Sequence, residues 1–206
     1  MVALGPSANL PPHIVLEACL SRVLLTLATI LFASFGLAGC DRGAPEGAQE
    51  SSGASVIASE IDRSQAGELM PAVNLVDPAG RVLNLGALQG DPVLLNLWAT
   101  WCAPCVKEMP LLDELAGDYD GRLTVIAASQ DLQGTAKVEP FFAEAGLDNL
   151  HPWMDPEALL SMALADALPT TVLYDGAGRE IWRVTGELDW SAPEVRAAID
   201  EALPAQ

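Results

Sequence analysis

Basic side chains are scarce in this 206-residue chain: ten Lys and Arg stand against 28 Asp and Glu, a formal net charge of −18. That imbalance argues against nucleic acid or an anionic lipid surface as the partner. The plain reading is a solvated acidic surface that keeps the chain soluble. Histidine is scarcer still, with only His13 and His151. Cysteine occurs four times, as Cys19, Cys40, Cys102 and Cys105. A structural zinc site takes four ligands, and no second Cys-x-x-Cys is present to complete one around Cys102 and Cys105. Nor is this the dense framework of a small disulfide-stapled scaffold. A chain of this length can bury an adequate core without staples. No internal repeat is visible.

What is present centres on Asn96-Leu97-Trp98-Ala99-Thr100-Trp101-Cys102-Ala103-Pro104-Cys105. Two thiols three residues apart follow an apolar run (Val93, Leu94, Leu95, Leu97) that reads as a buried strand. Helical spacing follows from Val106 to Tyr119. A Cys-x-x-Cys at a strand-to-helix junction is a redox arrangement. The first Cys falls at the exposed helix N-terminus, where backbone N–H groups and the macrodipole favour thiolate. The second lies almost one turn on, within reach of a disulfide. Half of a zinc site or a purely structural disulfide are the duller alternatives.

The segment Val93 to Pro110 resembles the active-site stretch of the TlpA/ResA/DsbE-like thioredoxins, membrane-tethered extracytoplasmic thiol-disulfide oxidoreductases. Three further matches follow in register: Val73-Asn74-Leu75-Val76-Asp77-Pro78-Ala79-Gly80-Arg81-Val82, Leu168-Pro169-Thr170-Thr171, and Gly186-Glu187-Leu188-Asp189-Trp190. The resemblance covers residues 68 to 203. It implies an α/β thioredoxin fold with an N-terminal β-hairpin extension and an αβ insertion, at about 130–165, before the cis-Pro strand.

Residue patterning agrees with that outline. Residues 72–76 and 81–85 alternate around the turn Asp77-Pro78-Ala79-Gly80, as a hairpin does. Residues 93–98 and 123–128 read as continuous apolar strands of a parallel sheet. Helices are expected over 134–145 and 157–165, the second started by Pro156. Strands at 170–174 and 180–184 flank Asp175-Gly176-Ala177-Gly178. A closing helix from Pro193 to Leu203 puts Val195, Ile199 and Leu203 on one face.

The first 65 residues read differently. Arg22, an apolar core from Val23 to Leu37 and small residues before Cys40 make a secretory signal. Leu37-Ala38-Gly39-Cys40 resembles the bacterial lipobox, which implies cleavage after residue 39 and lipidation of Cys40. An uncleaved membrane helix is the alternative, at the short limit for a span. Residues 1–19 suit a signal start poorly, since Glu17 is acidic and Pro6, Pro11 and Pro12 break helices; a downstream translation start is expected. Residues 40–65 are small and polar, a flexible tether reaching roughly 25–30 Å. A thioredoxin-like domain then occupies 66–206. The implied location is the periplasmic side of the bacterial inner membrane.

Within the domain, Cys102 is expected to attack a substrate disulfide and Cys105 to resolve the mixed disulfide. Pro104 sets the loop between them and serves as a helix-start residue. Trp101 offers a flat apolar surface beside the sulfur, or else packs into the core. The resemblance makes Leu168-Pro169 a cis bond that presents the backbone of Leu168 to an incoming substrate strand. Many thioredoxins carry an acid six residues before the first Cys; here that position is Asn96. Spacing of three places Glu108 beneath Cys105 instead, where a partly buried carboxyl with a raised pKa would accept the Cys105 proton. A solvated helix Glu is the alternative. Lys107 is expected in solvent, and Pro110 is expected to kink the helix.

His151, Met154 and Asp155 cluster in sequence. Together with the thiols they raise a Cu(I) reading, although Met154 and Trp153 more simply fill a core. The expected activity is reduction of disulfides in exported proteins, with apocytochrome c or copper-site proteins as candidates. The partner implied is a membrane reductant of the DsbD/CcdA type. No cofactor or metal is expected, and a monomer is. A disulfide-forming oxidant and a copper chaperone for oxidase assembly are the rivals.

Overall fold

The computed structural model describes residues 61–203. Cys19, Cys40, the signal sequence and most of the tether lie outside the described residues. Eleven elements follow in order: β1 (Asn74–Val76), β2 (Val82–Asn84), β3 (Val93–Trp98), α1 (Ala103–Asp118), β4 (Thr124–Ser129), α2 (Thr135–Ala145), β5 (Trp153–Met154), α3 (Leu159–Leu164), β6 (Thr170–Tyr174), β7 (Glu180–Thr185) and α4 (Pro193–Asp200). A single 3-10 turn, Leu85–Ala87, follows β2.

The strands form one sheet in the order β2-β1-β5-β4-β3-β6-β7. β3 runs parallel to β4 and antiparallel to β6, and β4 runs parallel to β5. All six residues of β3 are buried, because it is central and covered on both faces; hence its apolar character at every position but Asn96. Its side chains still alternate. Leu94 and Trp98 enter the core under α1 and α4, while Val93, Leu95 and Leu97 enter the core on the opposite face with Leu75, Leu85, Leu160 and Tyr174. Asn96 shares the first face, so the one polar residue of the strand points towards α1.

This is the fold that the resemblance implies, hairpin extension and insertion included. Three details differ from the sequence expectations. The domain begins before residue 66: Asp62 exchanges two backbone hydrogen bonds of 2.9 Å with Arg183, and Met70 N donates to Gly178 O. Residues 62–70 therefore run along the free edge of β7, so the tether cannot extend to residue 65. The helix expected at 157–165 begins at Leu159. Ala158 is left-handed (φ 52°), the Asp155 carbonyl accepts Ala158 N, and the Asp155 carboxylate accepts Leu160 N at 2.7 Å. Asp155, not Pro156, starts α3. Finally, α4 ends at Asp200 with Leu203 beyond it, while α1 runs from Ala103 to Asp118 with Pro110 inside it.

Candidate active site

The peptide turn from β3 into α1 delivers both thiols. Cys102 is the N-cap of α1, with extended backbone (φ −90°, ψ 102°), and its Sγ accepts Cys105 N at 3.3 Å. The two residues are joined as a disulfide with Cα atoms 5.3 Å apart. Cys105 is 0% exposed and Cys102 6%. The sequence expectation of an exposed Cys102 is therefore corrected in degree: in the disulfide form it forms the floor of a groove, but it remains the outer sulfur of the pair. A groove of about 760 Å³ opens over it, lined by Trp101, Pro104, Gln130, Leu132, Ala165 and Leu168 among others. Trp101 is 69% exposed, which settles its alternatives against core packing.

Leu168–Pro169 is cis. Pro169 is buried and its carbonyl accepts Gly186 N at 2.8 Å, while Leu168 faces the groove. The N–H and C=O of Leu168 pair with no backbone group among the described residues.

Glu108 lies one turn below Cys105 on the buried face of α1 and is 2% exposed. Burial pushes its carboxyl up to about 7, against the opposing pull of donors from Leu188 and Asn96. Asn96 Nδ2 donates to Glu108 Oε1 at 2.9 Å and also to Thr171 Oγ1 at 2.9 Å; Leu188 N donates to Glu108 Oε2 at 3.2 Å. The Trp190 indole N–H also biases the carboxyl towards its charged form, without reaching hydrogen-bond geometry. The solvated-helix alternative for Glu108 is thus excluded. Lys107 is on the surface as expected, but it is paired with Glu187.

Three partners of this site were not assigned from sequence: Asn96, Leu188 and Trp190. Asn96 had a signal, since it occupies the strand position where many thioredoxins place an acid. Leu188 and Trp190 belong to a matched segment whose role no local pattern discloses, because they meet Glu108 across about eighty residues of chain. A fourth unassigned residue is Asp131. It is buried, and its carboxylate accepts Thr100 N at 2.9 Å, Thr100 Oγ1 at 2.7 Å and Ser129 Oγ at 2.8 Å. That clamp fixes the loop two residues before Cys102.

The His151–Met154–Asp155 cluster disperses into structural roles. His151 Nε2 lies 3.1 Å from Asp77 Oδ2 and 3.0 Å from an Arg81 nitrogen. Asp77 is held down to about 2: its hydrogen bonds from Arg81 and His151 outweigh the opposing effect of desolvation, its largest single influence. Met154 is buried beside Thr135 Oγ1, and Asp155 holds α3. Among the described residues, no three His, Cys, Asp or Glu side chains gather as metal ligands.

A parallel β-α-β unit, an antiparallel β-β-α unit and a dithiol at the first helix start, with a titratable carboxyl buried behind it, define a dithiol–disulfide oxidoreductase. The Redoxin family model matches residues 65–199, and the chain belongs to that family. It is 30% identical over 126 residues to thiol-disulfide oxidoreductase ResA of Bacillus thuringiensis, covering 61% of this chain and 73% of the relative. It is 33% identical over 122 residues to ResA of Geobacillus thermodenitrificans, covering 59% and 70%. The crystal structure of an exposed lipoprotein thioredoxin from Streptococcus pneumoniae superposes with a TM-score of 0.55 at 22% identity, covering 62% of this chain and 97% of that one. That last likeness concerns the fold.

Proposed function

We propose that this oxidoreductase works as a reductant of disulfides in exported proteins, on the periplasmic face of the bacterial inner membrane, held there by lipid on Cys40. The observation that carries the reading is the stacking of three groups along α1: an outer sulfur in a groove, an inner sulfur with no exposure, and a carboxyl titrating near neutrality beneath it. In the reduced form, Cys102 thiolate attacks one sulfur of a substrate cystine, forming a mixed disulfide and releasing one substrate thiolate. Cys105 passes its proton to Glu108 and attacks Cys102 Sγ. The Cys102–Cys105 disulfide forms, the second substrate thiol leaves, and two electrons have moved to the substrate. A membrane reductant of the DsbD/CcdA type would restore the dithiol. Apocytochrome c and copper-site proteins are candidate substrates. The copper-chaperone alternative is weakened by the engagement of His151 with Asp77 and Arg81.

The test is partner trapping in cells. Cys105→Ser should accumulate mixed disulfides through Cys102, whereas Cys102→Ser should accumulate few. Equal or reversed trapping overturns the roles. For the anchor, Cys40→Ala should abolish incorporation of radiolabelled fatty acid; undiminished label would remove lipid from the proposal.

A further inference from the structure

The dithiol chemistry calls for an acid beneath Cys105, but it does not say what holds that acid in each of its two states. Three buried polar side chains from three elements meet there: Asn96 on β3, Glu108 on α1 and Thr171 on β6. Asn96 and Thr171 are register partners in adjacent strands. Asn96 Nδ2 donates to both neighbours at once, to Glu108 Oε1 and to Thr171 Oγ1, each at 2.9 Å. Its two hydrogens are thereby used. The other end of the same amide, Oδ1, is buried with no hydrogen-bond partner among the described residues.

That asymmetry matters once the carboxyl takes up a proton. An ionised carboxylate only accepts, and Leu188 N and Asn96 Nδ2 supply one donor to each of its oxygens. A protonated carboxyl must also donate, and an N–H facing its O–H offers no acceptor. The Leu188 N–H belongs to the backbone and the Trp190 indole has only an N–H, so neither can change its part. An Asn side chain can, because half a turn of its amide exchanges oxygen for nitrogen with almost no change of shape. Thr171 suits both settings: its hydroxyl accepts from an N–H or donates to an oxygen by rotation alone. The far side of the amide has no partner to lose. Nearby charges do not take over this role. β3 and β6 carry no charged residue. Glu187 opposes ionisation of Glu108 and is itself paired with Lys107 of α1, while Arg196 and Asp200 of α4 turn to Asp118 and Arg122.

We propose that Asn96 is the positioning residue of the proton acceptor: its amide donates to Glu108 while the carboxyl is ionised and turns over to accept from it once the proton arrives. The proposal rests on the reading that Glu108 takes the proton of Cys105. In that step the proton leaves Cys105 Sγ for Glu108, no electrons move, and the Cys105 thiolate is left to attack Cys102. As the amide turns, Asn96 Oδ1 accepts from both the Glu108 O–H and the Thr171 O–H. The buried acid thus keeps a hydrogen bond from Asn96 in both of its states, and no water has to enter beneath Cys105. The turn also carries the protonation state of Glu108 to a hydroxyl on β6, two residues after the cis-proline.

Nuclear magnetic resonance on the oxidised full-length protein, with labelled Asn, Glu and Thr, tests the turn without any substitution. Between about pH 5.5 and about pH 8.5 the Glu108 carboxyl carbon should titrate. Contacts between the Asn96 amide protons and the Thr171 side chain should be strong at the upper pH and lost at the lower. In Glu108→Gln those contacts should not respond to pH. Asn96→Leu keeps the bulk and removes both donor and acceptor. It should move the Glu108 midpoint upwards by about one pH unit, because the bond lost to the carboxylate is the stronger of the two. The pH profile of mixed-disulfide resolution should move with it, so that the rate falls several-fold at about pH 7 and recovers in more alkaline buffer. A merely structural role for Asn96 would lower the rate alike at every pH. A Glu108 that titrates while the Asn96–Thr171 contacts persist throughout overturns the proposal, as does an Asn96→Leu profile with an unmoved midpoint. A Glu108 carboxyl that does not titrate in this range would instead overturn the proton-acceptor reading beneath it.

Discussion

Glu108 shows how much one side chain can carry. Its position was legible from spacing alone, since three residues along a helix return to the same face as Cys105. Its degree of burial was not, because that depends on Leu188 and Trp190 arriving from a distant loop; Gly186, with φ 108°, allows the chain to turn into place there. Burial raises the carboxyl from its ordinary 4.5 to about 7, so the folded state holds this proton more tightly than the unfolded chain. The associated stability is fully present below about pH 4.5 and is lost as pH rises towards 7, on the order of 3 kcal/mol by linkage. Glu108→Gln keeps the shape and removes the titration. Denaturant unfolding of the oxidised protein between pH 4.5 and 7.5 should show that this fall is much reduced in the variant. The rate at which Cys105 resolves a mixed disulfide should drop, and its pH dependence near neutrality should flatten. A pH profile identical to wild type in both measurements would make Glu108 a spectator.

Elements were readable from sequence in proportion to their length and periodicity. The hairpins, β3, β4, α1 and α2 each carry a strong period or a turn signature, and they lie where expected. β5 has two residues, too few for any alternation to register. α3 owes its start to an Asp155 side chain reaching five residues ahead, a tertiary arrangement that Pro156 masked in the sequence. The loop between β3 and α1 is the other such case: what holds it is Asp131, thirty-one residues away. The carboxylate accepts two bonds from Thr100 in a buried setting, and bonds to a charged acceptor are worth roughly 1.5–3 kcal/mol. Asp131→Ala should therefore cost about 2–3 kcal/mol, seen as a lower denaturant midpoint with unchanged slope. Asp131→Asn, which retains one acceptor oxygen, should fall between. If the Ala variant matches wild type, the clamp is not what fixes the active-site turn.

For the whole molecule the open quantity is the direction of electron flow, and charge decides it. A dithiol is oxidising when its thiolate is so well stabilised that the reduced form dominates, as in DsbA at about −120 mV. The helix N-terminus at Cys102 supplies some of that stabilisation, but little else does. Ala103 and Pro104 bring no charge between the sulfurs, and the nearest cation on α1, Lys107, is neutralised by Glu187. Glu108, once ionised, places a negative charge behind the pair, and the chain carries −18 overall. Each of these raises the cost of a thiolate and so favours the disulfide. The potential should accordingly lie nearer thioredoxin's, about −270 mV, than DsbA's. Equilibrating the full-length protein with glutathione and dithiothreitol buffers, then quantifying free thiols, measures it directly. Glu108→Gln should shift the value towards the oxidising side above pH 7, where the wild-type carboxyl is charged, and much less at pH 5.5. A wild-type potential close to −120 mV would mean that the domain inserts disulfides and that the electrostatic argument fails at its first step.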